Sequence, residues 1–142
     1  MNASKKIILA IFLVVSLASC SSNQPQIGPV ERYQSGNKHL KAQRYKQAIS
    51  DYQAAISMDD EQAPYHYNLG LAYYRINLFE LAKKAFEEAI AQDPKMGDAW
   101  FNLSLVLYKL GDTEAAFLAH EKYIKINKTP SAGQPKTNSS GS

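Results

Sequence analysis

The chain shows two hydrophobic regimes. Residues 7–17 are almost continuously apolar, starting Ile7-Ile8-Leu9-Ala10-Ile11-Phe12-Leu13-Val14-Val15. From about residue 30 the apolar positions instead recur every three or four residues, as in Ala82, Phe86, Ala89 or Leu103, Leu107. That spacing predicts amphipathic helices. Short breaks separate the runs. Gly111-Asp112 and Asn77 read as turns, Asp93-Pro94 ends a helix, and Pro64 suits a helix's first turn, where a missing N–H costs nothing. The pattern predicts helices over about 30–42, 45–58, 64–76, 79–92, 98–110 and 113–127, and an all-α fold.

A period of 34 organises these helices. Gly36, Gly70 and Ser104 align, as do Ala48, Ala82 and Ala116, and Tyr52, Phe86 and His120. Tyr33, Tyr67 and Phe101 fall together, as do Tyr45, Phe79 and Thr113. The clearest copy reads Asn68-Leu69-Gly70-Leu71-Ala72-Tyr73, then Ala82, Phe86, Ala89 and Asp93-Pro94, and the third copy supplies Trp100. Small residues at recurrent positions let helix backbones approach while large ones fill the spaces between. The pattern resembles the tetratricopeptide repeat, with its 34-residue helical hairpins. The resemblance implies an α-solenoid of three repeats, about 29–62, 63–96 and 97–128. His39 and Asp59-Asp60 depart from the pattern in copy one and His120 in copy three. Residues 129–142 are rich in Ser, Gly and Pro and are expected to be disordered.

Lys5 and Lys6, the apolar run and Leu17-Ala18-Ser19-Cys20 describe a signal peptide. The run is shorter than the roughly 20 apolar residues that span a bilayer. The last four residues also resemble the lipobox of bacterial lipoproteins. The resemblance implies removal of residues 1–19, lipidation of Cys20, and a lipid anchor facing the periplasm. Ser21, following the cysteine, implies the outer membrane. Residues 20–28 then form a polar tether, whose segment after the cysteine reaches under roughly 30 Å.

Composition narrows the chemistry. Without Lys5 and Lys6 the chain keeps 14 basic and 13 acidic side chains, so no electrostatic case for nucleic acid survives. A single cysteine excludes an internal disulfide. His39, His66 and His120 lie in separate repeats without ligand spacing, and His39 and His120 are expected to pack in the core. Asp59-Asp60-Glu61 lacks the alternating ligands of a calcium loop and is expected to be a solvated turn. No catalytic motif is present. No cofactor, no metal and no enzymatic activity are expected.

In tetratricopeptide arrays the first helix of each hairpin lines a concave groove that binds a protein or peptide. The resemblance carries that role to Tyr33, Tyr67 and Phe101; to Asn37, Leu71 and Leu105; to Tyr74 and Tyr108, with Leu40 in their register; and to Lys41, Arg75 and Lys109. An aromatic ladder thus runs beside a basic one, which either holds carboxylates or only complements helix C-termini. Some members grip a C-terminal carboxylate with lysines, asparagines and arginine. Asn37 and Asn68 match the asparagines, but Tyr33, Asp98 and Asn102 replace the cations, so binding of chaperone tails is not expected.

Phe117 and Leu118 align with Lys83 and Lys84, and Ile124 adds apolar area to the last helix. They are expected to form an end face for a second copy or a partner subunit, unless the repeat core covers them. The functional expectation is an envelope adaptor, similar in layout to lipoproteins that assist pilus assembly or recruit cell-wall enzymes. The alternative is a structural subunit of an envelope complex, joined through that end face.

Overall fold

The computed structural model describes residues 27–128. The expected signal peptide, Cys20, most of the expected tether and residues 129–142 lie outside them.

Six helices follow one another: α1 (Pro29–Lys41), α2 (Tyr45–Met58), α3 (Ala63–Arg75), α4 (Phe79–Gln92), α5 (Gly97–Leu110) and α6 (Thr113–Lys128). Each boundary lies within one residue of its sequence expectation. Pro29 and Pro64 occupy the first turns of α1 and α3, where no N–H is missed.

The three hairpin turns share one geometry. Gln43, Asn77 and Gly111 stand 34 residues apart, with φ of 58°, 61° and 86°. At each, the turn residue donates to the carbonyl three back and the next residue to the carbonyl five back: Gln43 to Leu40 and Arg44 to His39, Asn77 to Tyr74 and Leu78 to Tyr73, Gly111 to Tyr108 and Asp112 to Leu107. This is the Schellman pattern, which satisfies the last helix carbonyls and requires a left-handed residue. Asp112 then accepts the backbone N–H of Ala115 at 3.1 Å through Oδ1, capping α6.

Each helix packs chiefly against its neighbours in sequence. The first helices of successive hairpins also touch, α1 with α3 and α3 with α5, whereas the second helices do not meet. The array therefore curves with α1, α3 and α5 inside and α2, α4 and α6 outside. The described residues form an all-α solenoid.

Tyr52, Phe86 and Val106 are the largest fully buried side chains. A Cβ at Gly36 would lie 2.6 Å from the Tyr52 ring, and one at Gly70 would lie 2.7 Å from the Phe86 ring. Each glycine is thus a socket for the aromatic ring of its own hairpin. Ser104 stands at this position in the third hairpin, bonded to the Phe101 carbonyl at 2.7 Å. The matching second-helix residue, His120, is exposed. This corrects the expectation that His120 packs in the core. Its counterparts lie between two hairpins, and no helix among the described residues covers α6.

Candidate partner-binding groove

The inner face is built from the first helices, and its rungs repeat with the period of the sequence. Tyr33 is half-buried, its ring 4.7 Å from that of Tyr65 and 5.9 Å from that of Tyr52. Its hydroxyl accepts a hydrogen bond from Asn68 Nδ2 at 2.9 Å. Tyr67 repeats the arrangement one hairpin later, 5.9 Å from Phe86 and accepting from Asn102 Nδ2 at 3.2 Å. Burial, and secondarily the charge of Asp98, raise the Tyr67 pKa above the usual phenol value, while the Asn102 bond opposes the shift. Phe101, the third rung, packs 5.2 Å from Tyr123 and remains partly exposed. The aromatic ladder therefore joins hairpin to hairpin as well as lining the groove.

Asn37 lies deeper than a simple contact residue. Its Oδ1 accepts from Tyr52 Oη at 2.8 Å and from Asn68 Nδ2 at 2.9 Å. The two asparagines that match a carboxylate clamp are thus bonded to each other, and Asn102, at one of the clamp's cationic positions, is bonded to Tyr67 and to the Asp98 carbonyl.

The middle of the groove is apolar. Leu71 and Tyr74 are half-buried, Tyr74 with its ring 5.7 Å from Phe79, while Leu105 and Tyr108 are 36% and 67% exposed. Exposure increases toward α5 because no further first helix among the described residues leans on it.

The basic edge follows the hairpin turns. Lys41, Arg75 and Lys109 are all exposed, and none joins an ion pair among the described residues. A cleft between α1 and α3 is lined by Leu40, Lys41, Gln43, Tyr45, Leu71 and Arg75. No acidic residue occurs from 32 to 50, a stretch with Arg32, Lys38, Lys41, Arg44 and Lys46, and α3 carries none either. An anion at this cleft would meet two cations and a phenol without a competing carboxylate.

Two features escaped the sequence reading. Asn68 and Asn102 are inter-hairpin ties, a role signalled by their 34-residue separation, matched to Tyr33 and Tyr67. The other is a charged cluster in the first hairpin. Asp51, nearly buried, accepts from Arg32 at 3.3 Å and faces His39 Nε2 at 3.6 Å. Arg32 aligns with His66 and Trp100, His39 with Tyr73 and Leu107, and Asp51 with Ala85 and Ala119. Three departures at touching positions were the available signal.

On the last helix Phe117 is 63% and Leu118 54% exposed, while Ile124 is half-buried. Among the described residues no three His, Cys, Asp or Glu side chains are grouped to hold a metal, and no helix is long and apolar enough to cross a membrane.

A family profile described as "Tetratricopeptide repeat" matches residues 67–132, and one described as "TPR repeat" matches residues 36–77. No curated protein sequence matches the chain significantly. Among solved structures, the second TPR of Spaghetti bound to the HSP90 peptide SRMEEVD is 26% identical, with a TM-score of 0.68 over 71% of this chain and 93% of that one. The Sgt2 TPR domain from Aspergillus fumigatus is 28% identical, with a TM-score of 0.67 over 75% of this chain and 69% of that one. MamA shares the fold at 23% identity and a TM-score of 0.69, over 71% of this chain and 59% of that one. Matching profiles that together span residues 36–132, a 34-residue period kept in helices, turns and ties, and the Spaghetti and Sgt2 neighbours agree that this stretch is built from tetratricopeptide repeats.

Proposed function

We propose that the chain is a non-enzymatic adaptor of the bacterial cell envelope, anchored in the outer membrane through lipidated Cys20. Its groove binds a peptide segment of a protein partner in the periplasm, and envelope or pilus assembly is the setting. The observation that carries the binding role is the exposed apolar strip of Leu105 and Tyr108 beside unpaired Arg75 and Lys109. A solvent-facing strip of this kind bordered by free cations suits a segment with apolar anchors flanked by carboxylates. The Spaghetti neighbour holds a peptide with two adjacent glutamates and an aspartate. In this chain Lys41, Arg75 and Lys109 would meet such charges, because Tyr33, Asp98 and Asn102 stand where clamp cations would.

The groove is tested by selecting peptides from a displayed library on the immobilised protein and measuring their affinity by fluorescence anisotropy. Leu105→Glu, Tyr108→Ala and Arg75→Glu should each weaken the selected peptides at least about tenfold, a loss of about 1.4 kcal/mol. Unchanged affinity in all three would place binding elsewhere. The anchor is tested separately. Cys20→Ala should abolish incorporation of labelled palmitate and release the protein from membranes, and equal labelling of both forms would end that part of the reading.

A further inference from the structure

The two ends of the array differ in chemistry. In α3 and α5 the side turned to the preceding hairpin is apolar and buried: Tyr65, Leu69 and Ala72, then Ala99, Leu103 and Val106. The same register in α1 holds Glu31, Ser35 and Lys38. The first end is thus finished with polar groups, as a terminal repeat requires. At the other end, α6 exposes Phe117 and Leu118 where α4 has Lys83 and Lys84, and Lys83 pairs with Glu87 at 3.9 Å.

One exposed stripe runs the length of α6. Glu114, Phe117, Leu118, Glu121, Lys125 and Lys128 are spaced three, four, seven, eleven and fourteen residues from the first, which places them on one helical face. All six are exposed. The four charges make no ion pair among the described residues, although Glu121 and Lys125 are four apart. Glu114 lies at the N-terminal end of the stripe, Glu121 at its middle, and Lys125 and Lys128 at its C-terminal end.

We propose that this stripe is the contact of a two-fold homodimer, in which α6 packs antiparallel against α6 of a second copy. The charge order argues for this occupant, because an antiparallel pair sets Glu114 of each copy on Lys128 of the other, and Glu121, beside its own mate at the centre, lies one turn from the partner's Lys125. With the two-fold axis at Glu121, Glu114 meets the partner's Lys128, Phe117 lies on the stem of the partner's Lys125, and Leu118 meets the partner's Ile124. Each contact occurs twice, the self-complementarity of an isologous interface. Head-to-tail stacking is disfavoured, because the polar register of α1 cannot supply the apolar side of a following first helix. The contact is independent of the groove reading.

The test uses the full chain in detergent with Cys20→Ser, which leaves any introduced cysteine as the only thiol. Light scattering, with the detergent contribution subtracted, should give twice the chain mass. Glu121→Cys, next to its own mate on the axis, should form an interchain disulfide under mild oxidation, and Glu87→Cys on α4 should not. Phe117→Glu with Leu118→Lys should give a monomer of unchanged helicity. Should that variant unfold, charge exchange decides: Glu114→Lys should weaken the dimer at least tenfold, and adding Lys128→Glu should restore it. A monomeric parent at every concentration, a dimer that survives the apolar double substitution, cross-linking through Glu87→Cys equal to that through Glu121→Cys, or failure of Lys128→Glu to rescue would overturn the proposal. So would a monomer whose α6 stripe is covered by a different protein.

Discussion

Asn68 of the second hairpin donates to the hydroxyl of Tyr33 in the first across 2.9 Å, and the same side chain reaches Asn37 at 2.9 Å. One amide thus ties two hairpins together at the groove floor. Asn68→Ala should cost about 1–2 kcal/mol, the scale of two part-buried neutral hydrogen bonds. Asn68→Asp should cost more, because a carboxylate cannot donate and would face the Asn37 carbonyl oxygen. Urea unfolding followed by circular dichroism measures both, and an Asp variant as stable as the parent would show that the tie contributes nothing.

Gly70→Ala tests the aromatic socket. Alanine favours helix by about 1 kcal/mol over glycine. Here its Cβ would stand 2.7 Å from a fully buried Phe86 ring, with a hairpin on either side. The clash should outweigh the propensity, with a net loss of about 1–3 kcal/mol. Phe86→Leu in the Gly70→Ala background should then cost less than Phe86→Leu alone, a coupling that a double-mutant cycle reads directly.

Gln43 is a non-glycine residue at φ 58° in a turn whose third counterpart is Gly111. Left-handed geometry costs an L-residue roughly 1–2 kcal/mol. Gln43→Gly should therefore raise stability by about 1 kcal/mol, less whatever the greater flexibility of the unfolded chain removes. Asn77→Gly should gain less, because asparagine tolerates this region. The midpoint of thermal unfolding distinguishes the two, and a drop for Gln43→Gly would show that Gln43 carries no strain in the turn.

Asp51 holds Arg32 and His39 in the first hairpin, and Arg32 Nε and His39 Nδ1 are buried without a hydrogen-bond partner. Asp51→Ala should cost about 1–3 kcal/mol, below the value for a fully buried pair because Arg32 keeps part of its surface in water. Replacing the cluster with residues from the aligned positions, Arg32→Trp, His39→Tyr and Asp51→Ala together, should recover that loss or more, since apolar packing commonly equals or exceeds a buried ion pair. Chemical denaturation of the single and triple variants is the measurement, and a triple variant less stable than Asp51→Ala would exclude this account.

The helices, their order and the repeat are all legible in the residue pattern alone. Helix breaks are local events: Asn77, Gly111 and the prolines act through their own backbone, so position in the chain is enough to read them. The first turn was less legible because Gln43 has no intrinsic preference for its left-handed geometry, and only the neighbouring helices hold it there. Which residues share one helix face was likewise readable from register, since a 34-residue period puts equivalent side chains on equivalent helix faces. What each groove residue does was decided by tertiary structure. Tyr33 and Tyr67 are hydrogen-bonded across hairpin boundaries, while Tyr108, in the register of Tyr74, stands in solvent because no further first helix among the described residues packs beyond α5. His120 lies open for the same reason, although its register is that of buried Tyr52 and Phe86. Burial depends on which neighbour arrives, and the Asp51 cluster needs α1 and α2 brought side by side; neither is encoded at any single position of the chain.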